Sequence, residues 1–154
     1  SILGLNLSEV KAGLHSVTFP ERRLSVHRSI CNSILIDDSY NSNPASMKRS
    51  IDLIDSLKNY RKLCIFGEMK ELGEDSSFLH TDIYQYAKDK VDYFFCLGEE
   101  WEDVKITNKT SFKIFSDHDD LYEGVKELIK QDTVTLVKGS RSTRMDIVAD
   151  KLKN

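Results

Sequence analysis

Residues 34–66, ILIDDSYNSNPASMKRSIDLIDSLKNYRKLCIF, contain the pattern that decides the fold. An apolar run, Ile34-Asp37, leads through a polar turn into the amphipathic stretch Pro44-Asn59, and a second apolar run, Leu63-Phe66, follows. Asn43 is a suitable N-cap, and Pro44 suits the first helical position. Four apolar residues recur at helical spacing: Met47, Ile51, Ile54 and Leu57. A strand, a crossover helix and a second strand in this order form a parallel βαβ unit.

The same alternation of apolar runs and amphipathic stretches continues along the rest of the chain. The predicted strands are Leu24-Val26, Ile34-Asp37, Leu63-Phe66, Tyr93-Leu97, Lys113-Phe115 and Thr133-Val137. The predicted helices are Pro44-Asn59, Phe78-Lys90, His118-Lys130 and Arg144-Lys153. We therefore expect an α/β fold with an open, mostly parallel sheet and helices on both faces, of the Rossmann-like kind.

Composition narrows the functional class. The 154 residues suffice for one ordinary domain that needs neither a disulfide nor a metal, and 40% hydrophobic with 31% charged residues is typical of a globular protein. No segment approaches the ~20 apolar residues that span a bilayer, so membrane insertion is not expected. The net charge of -3 gives no basic footprint for nucleic acid.

Cysteine usage and the first residues suggest a cytoplasmic protein and a preceding domain. Cys31, Cys64 and Cys96 are odd in number and lack CxxC spacing, which favours free thiols in a reducing compartment. Residues 1–20 do not fit the α/β unit, and we expect them to be the remnant of a preceding domain and a linker. Residues 21–154 then form the α/β domain.

Polar clusters follow four of the predicted strands. They are DDSYNSNP after Ile36, GEMKELGEDSSFLH after Phe66, GEEWED after Leu97 and KGSRSTR after Val137. Because ligands of open parallel sheets bind beyond the carboxyl ends of the strands, this shared position predicts a binding site. Polar loops are also ordinary in α/β folds, so position alone is a modest argument.

The side chains within these clusters allow several roles. Lys138 and Arg141 form a cationic pair suited to a carboxylate or a phosphate. Asp37 and Asp38 can bind Mg2+, accept hydrogen bonds from ribose hydroxyls or cap the turn. His80 is either catalytic or structural, the latter being the commoner case for a lone histidine near a helix start.

The remaining aromatic and imidazole side chains give no clear site. Trp101, beside Gly98, suits either a lid over the cleft or a packing role. His15, His27 and His118 share no spacing with cysteines or acidic residues that suggests metal binding, so no metal site is predicted.

Three ordered motifs resemble the C-terminal domain of the Mur ligase family. They are RLSVHRS with ILIDDSYNSNPASMKRSIDLI, then FGEMKELGEDSSFLH, then LVKGSRSTRMDIVADKL, and the resemblance runs from about Arg23 to the end of the chain. It implies that the DDSYNSNP loop faces ATP. Asp38 would then lie near the ribose, and Arg23 would reach the phosphates. Three residues would lie near the nucleoside: Tyr40, Asn41 and Asn43.

The resemblance also implies the reaction and its partners. ATP with Mg2+ would activate UDP-N-acetylmuramoyl-tripeptide, and D-Ala-D-Ala would attack the acyl phosphate. The residues implied on the dipeptide side are Lys138, Gly139, Ser140, Arg141, Glu71, His80 and Gly98. The GxxxxGK[ST] phosphate loop is absent from the sequence, so we expect it in the rest of a longer, monomeric polypeptide, and this chain alone to be inactive.

Three alternatives compete with this interpretation. A receiver module of signalling proteins is also doubly wound and has acidic residues and a lysine at strand ends, but its phosphoacceptor aspartate is replaced here by Gly98-Glu99-Glu100. Another member of the Mur ligase family is the second alternative. A plain interaction domain predicts no coherent strand-end cluster.

Overall fold

The computed structural model describes residues 21–107 and 110–153. Within them the strands are β1 (Ser25–Arg28), β2 (Ile34–Asp38), β3 (Arg61–Gly67), β4 (Tyr93–Leu97), β5 (Ser111–Phe115) and β6 (Thr133–Lys138). The helices are α1 (Pro44–Ser56), α2 (Ser76–Ala87), α3 (His118–Lys126) and α4 (Asp146–Leu152). The prediction for residues 1–20 lies outside the described residues.

The six strands form one sheet in the order β1-β2-β6-β3-β4-β5. All neighbouring pairs are parallel except β1 with β2, which is antiparallel, so the predicted mostly parallel sheet is confirmed. The last of these strands, β6, lies in the sheet between β2 and β3. This insertion sets Lys138 opposite Asp38 on one side and opposite Phe66 on the other.

Two hydrophobic cores lie on the two faces of the sheet. Helices α1 and α2 cover one face with Met47, Ile51 and Tyr84, and α3 and α4 cover the other with Leu121 and Val148. Successive strand residues alternate between the cores, as the pleat requires. Helices on both faces were predicted, and the structure confirms them.

The helix boundaries are shorter than the sequence pattern predicts. The capping box of Asn43 and Ser46 starts α1 at Pro44, as expected, but the helix ends at Ser56. Arg144, the predicted start of the last helix, has a φ of 51° and directly follows the 3-10 turn Arg141–Thr143, so α4 begins at Asp146. None of the described helices is long and apolar enough to cross a membrane.

Candidate functional site

The adjacent aspartates of the DDSYNSNP loop point to opposite sides of the sheet, because successive side chains of a strand alternate. Asp37 accepts hydrogen bonds from Ser39 N (3.1 Å) and Ser39 Oγ (2.6 Å), and its second oxygen lies 2.9 Å from Lys153 Nζ. Asp38 faces α1. The two carboxylates therefore do not form a joint cation site, and the described residues contain no cluster of three or more potential metal ligands from His, Cys, Asp and Glu.

Asp38 and Lys138 form a buried ion pair at the carboxyl ends of β2 and β6. Lys138 Nζ donates to Asp38 Oδ2 (2.6 Å) and to the backbone oxygen of Asn41 (2.9 Å). The parallel register sets these two residues directly opposite each other. Burial lowers the pKa of Lys138; the hydrogen bond and charge of Asp38 oppose this shift, and nearby Arg49 and Arg23 add to it.

The segment that carries Arg23 is fastened to the same loop. Leu24 N donates to Asp38 Oδ1 (3.2 Å), and Tyr40 N donates to the backbone oxygen of Arg22 (3.0 Å). The Arg23 guanidinium carbon lies 4.4 Å from the centre of the Tyr40 ring, a cation–π contact between two exposed side chains. Arg23 is thereby held beside the loop.

A cavity of about 720 Å³ lies between this segment, the loop and the start of α1. We call it the strand-end cavity. Its lining residues are Arg23, Leu24, Ser25, Asp38, Tyr40, Asn41, Ser42, Asn43, Ser46, Arg49, Ser50 and Lys138. Guanidinium groups with an aromatic ring and amides suit a phosphorylated ligand that carries a ring system.

Sequence reasoning missed the contribution of α1 to this cavity. Ser46, Arg49 and Ser50 line it, and Ser50 Oγ donates to Asp38 Oδ2 (2.8 Å). They follow the N-cap Asn43 at three- and four-residue steps and form a polar stripe beside the apolar face of the helix. That polar stripe was the signal that could have identified them.

A second region joins the loops after β3, β4 and β6, and we call it the Glu68 junction. Ser140 N donates to the backbone oxygen of Glu68 (3.0 Å), and Lys70 N donates to Ser140 Oγ (2.8 Å). Glu68 Oε1 accepts from Glu100 N (3.0 Å). The three loops are therefore connected largely through backbone groups.

Two glycines make the close approach at the Glu68 junction possible. A Cβ on Gly139 would lie 2.6 Å from Met145 Cγ and 3.0 Å from the Cα of Gly67. Gly98 has a φ of 112°, and a Cβ there would overlap the Glu68 side chain. Both predicted glycines thus occupy positions at this edge where a side chain does not fit.

His80 lies beneath the Glu68 junction and is fully buried. Its Nε2 accepts from Met69 N (3.0 Å), so Nδ1 carries the proton and donates to the backbone oxygen of Ser76 (2.8 Å). Burial lowers the pKa of His80, and Ser76 and Glu100 oppose that shift. The predicted contact of His80 with substrate is not compatible with this burial; the structure supports its structural alternative.

The predicted cationic pair of Lys138 and Arg141 is separated. Lys138 is buried at the edge of the strand-end cavity, where it is bonded to Asp38. Arg141 is exposed, and its Nη1 lies 3.7 Å from Asp146 Oδ2. Gly139 and Ser140 lie between Lys138, the last residue of β6, and Arg141, the first residue of the 3-10 turn. Glu71 is exposed beside the Glu68 junction, with a φ of 64°.

Trp101 serves as packing rather than as a lid. It is fully buried, and its ring meets the edge of His80 at a centroid distance of 4.5 Å. Cys64 and Cys96 are buried and free, as their apolar surroundings predicted, whereas Cys31 is exposed.

Comparison with known proteins identifies a family. The family model described as Mur ligase, glutamate ligase domain, matches residues 22–141. The UDP-N-acetylmuramoyl-tripeptide–D-alanyl-D-alanine ligase of Haemophilus influenzae is 34% identical over 159 residues, which cover 99% of this chain and 34% of that protein. The ligase of the same name from Escherichia coli is 32% identical over 154 residues, with 98% and 34% coverage.

Solved structures are similar over the same extent. A MurF ligase from Thermotoga maritima in complex with ADP superposes with a TM-score of 0.82 at 25% identity, covering 97% of this chain and 34% of that one. MurF from Acinetobacter baumannii superposes with a TM-score of 0.82 at 26% identity, with 97% and 34% coverage. The chain spans about a third of the length of these relatives.

Proposed function

The chain belongs to the Mur ligase family, and we propose that it is the C-terminal domain of a ligase that joins D-Ala-D-Ala to UDP-N-acetylmuramoyl-tripeptide. Relatives from Haemophilus influenzae and Escherichia coli carry that name and match almost the whole chain. In this proposal ATP phosphorylates the tripeptide carboxylate. The amine of the dipeptide then attacks the acyl phosphate, and ADP and phosphate leave.

The strand-end cavity is the observation that carries the proposal. It lies within the matched residues and brings together Arg23, Arg49 and the Tyr40 ring. A guanidinium beside the moving phosphoryl group stabilises its charge, which is the role we assign to Arg23. Tyr40, Asn41 and Asn43 would contact the nucleoside, and Asp38, already bonded within the protein, would border the ribose.

Mg2+ does not fit the aspartates of the DDSYNSNP loop. Lys153 and Lys138 lie 2.9 and 2.6 Å from oxygens of Asp37 and Asp38, so a divalent cation would have to displace an ammonium group at each. We assign Mg2+ and the lysine-containing phosphate loop to a part of the complete polypeptide outside this chain.

The dipeptide would bind on the Glu68 side of the sheet edge. Arg141 offers a side chain that is 59% exposed, suited to the dipeptide carboxylate, and Gly139 and Ser140 precede it in the same loop. Glu71 and Gly98 border the same region. Holding the amine near the acyl phosphate is catalysis by proximity.

The complete polypeptide that contains this chain provides the test. Purified protein is incubated with UDP-N-acetylmuramoyl-tripeptide, ATP and Mg2+, and product is followed by mass spectrometry with D-Ala-D-Ala or, separately, with single amino acids. We expect product only with D-Ala-D-Ala. Product with a single amino acid instead would identify another member of the family, and the 154-residue chain alone should release no phosphate from ATP.

A further inference from the structure

Lys138 is more deeply buried than a ligand anchor needs to be. Only 2% of the residue is exposed, although it ends the central strand β6 beside the strand-end cavity. Two of its three N–H donors are used inside the protein, on Asp38 and on the backbone of Asn41. Burying an ammonium group is unfavourable unless its partners are well placed, so these contacts define where the loop lies.

Asp38 links this lysine to the segment that carries Arg23. One carboxylate oxygen accepts from Lys138 Nζ and Ser50 Oγ, and the other accepts from Leu24 N. Three separate parts of the chain, β6, α1 and the residues before β1, therefore meet at one carboxylate. The carboxylate of Asp38 therefore supports two sides of the strand-end cavity, the segment that carries Arg23 and the start of α1.

The backbone on either side of Arg23 requires such a restraint. Arg22 and Leu24 have φ values of 63° and 53°, a left-handed conformation that residues with side chains seldom adopt. Tyr40 N holds the backbone oxygen of Arg22, and Asp38 holds Leu24 N. Without these bonds the segment would relax, and the Arg23 guanidinium would move.

We infer that Lys138 is a positioning residue for the ATP side of the site: paired with Asp38, it holds Arg23 and the backbone of Asn41 in the arrangement that the reaction uses. The inference rests on the proposed function. In this inference Arg141 binds the dipeptide carboxylate and Lys138 does not, because the two side chains face different regions.

The test compares four variants of the complete polypeptide in steady-state ligation: Lys138→Met, Asp38→Asn, the double variant and Lys138→Arg. A displacement of about 1 Å costs on the order of 100-fold in rate, so we expect each single variant to lower kcat by about that factor. The KM for D-Ala-D-Ala should stay within about twofold. The double variant should be no slower than the slower single variant, because both remove one shared arrangement.

Lys138→Arg keeps the charge and should recover most of kcat. Lys62→Met is the matched control, because Lys62 Nζ lies 2.7 Å from Asp55 Oδ1 in a partly buried pair at the opposite end of β3. That variant should retain kcat. Urea unfolding shows whether Lys138→Met folds. If it does not, the double variant replaces it, because that variant buries no unpaired charge, and its kcat tests the same inference.

Two results separate failure of the inference from failure of the proposed function. A wild-type polypeptide that ligates, with Lys138→Met raising the KM for D-Ala-D-Ala tenfold or more at unchanged kcat, would make Lys138 the dipeptide anchor and overturn the inference alone. A wild-type polypeptide that forms no product would overturn the proposed function and the inference with it.

Discussion

The strand-end cavity and the Glu68 junction lie at the same edge of the sheet but are built from different parts of the chain. Side chains form the cavity, through the ion pair of Asp38 and Lys138 and the stacking of Arg23 on Tyr40. Backbone groups form most of the junction, where Glu68 and Ser140 are bonded through their main chains and Gly139 permits the contact.

This difference predicts how each region responds to mutation. In the cavity, the exposed side chains can change while the sheet stays intact, so the effects should appear in kinetics. In the junction, an added side chain displaces backbone, so the effects should appear first in stability. Substitutions in the two regions should therefore be distinguishable, by ligation kinetics in the cavity and by unfolding in the junction.

The largest expected effect is kinetic and belongs to the cavity. Arg23→Ala in the complete polypeptide should lower kcat about 10³-fold, because an arginine that stabilises phosphoryl transfer contributes at least that much. The 154-residue chain carrying the same change should unfold at an unchanged urea concentration. Arg28→Ala, which changes an exposed arginine at the end of the adjacent strand β1, is the control for steady-state ligation. A kcat equal to wild type for Arg23→Ala would remove Arg23 from the reaction.

The next effect is on stability and belongs to the junction. Gly139→Ala should destabilise the chain by about 1–3 kcal/mol, because its Cβ would lie 2.6 Å from Met145 Cγ and 3.0 Å from backbone of Gly67. Urea unfolding of the 154-residue chain measures this. Gly73→Ala is the comparison: it meets no atom within 4 Å and carries only the strain of a φ of 60°. A Gly139→Ala chain as stable as wild type would show that close packing at Gly139 contributes nothing.

The local elements were largely predictable from the sequence, and the long-range pairings were not. The capping residue and Pro44 set the start of α1, and β4 was predicted with the boundaries observed, because a continuous apolar run marks a strand buried on both faces. No local sequence pattern predicts that β1 is antiparallel to β2, because the direction of a strand depends on how the chain connects it to its neighbour in the sheet.

The clustering of the candidate site residues at one sheet edge was predictable from the sequence, but their contacts were not. Strand-end clustering brought the DDSYNSNP loop and Lys138 to one edge, as expected. Their pairing across 100 residues depends on β6 entering between β2 and β3, a register that no periodicity encodes. His80 was open to two interpretations because burial depends on how α2 rotates against the sheet.

A pH effect should distinguish the junction from the cavity. Burial lowers the folded-state pKa of His80 below its ordinary value of 6.5. Between these two pKa values the unfolded chain binds more protons than the folded chain, so stability should fall as pH falls below 6.5, by at most about 1.4 kcal/mol per pH unit for one proton.

Urea unfolding between pH 7.5 and 5 compares wild type with His80→Gln. The variant should be less stable at pH 7.5, since Met69 N and the backbone oxygen of Ser76 lose well-placed partners, and it should lack this part of the pH slope. His27→Gln, in β1, should keep the slope. If His80→Gln left the pH dependence of the unfolding free energy unchanged, that dependence would come from groups other than His80.

The smallest expected effect concerns Asn43, which has a structural role as a helix cap and a proposed role in binding the nucleoside. Asn43 lines the strand-end cavity, yet its side chain also caps α1 by accepting from Ser46 N at 2.8 Å. Asn43→Ala should cost about 1 kcal/mol of stability through the lost cap. Asn43→Ser keeps a capping oxygen, so the 154-residue chain should retain its stability while the amide group is gone.

If the amide of Asn43 also contacts the nucleoside, Asn43→Ser in the complete polypeptide should raise the KM for ATP about fivefold to tenfold, which corresponds to the loss of one hydrogen bond. The KM for D-Ala-D-Ala should stay unchanged. An Asn43→Ser enzyme with the wild-type KM for ATP would restrict Asn43 to its capping role. The nucleoside contacts of the cavity would then come from Tyr40 and Asn41, and even this side of the sheet edge would contain a residue that acts only through the fold.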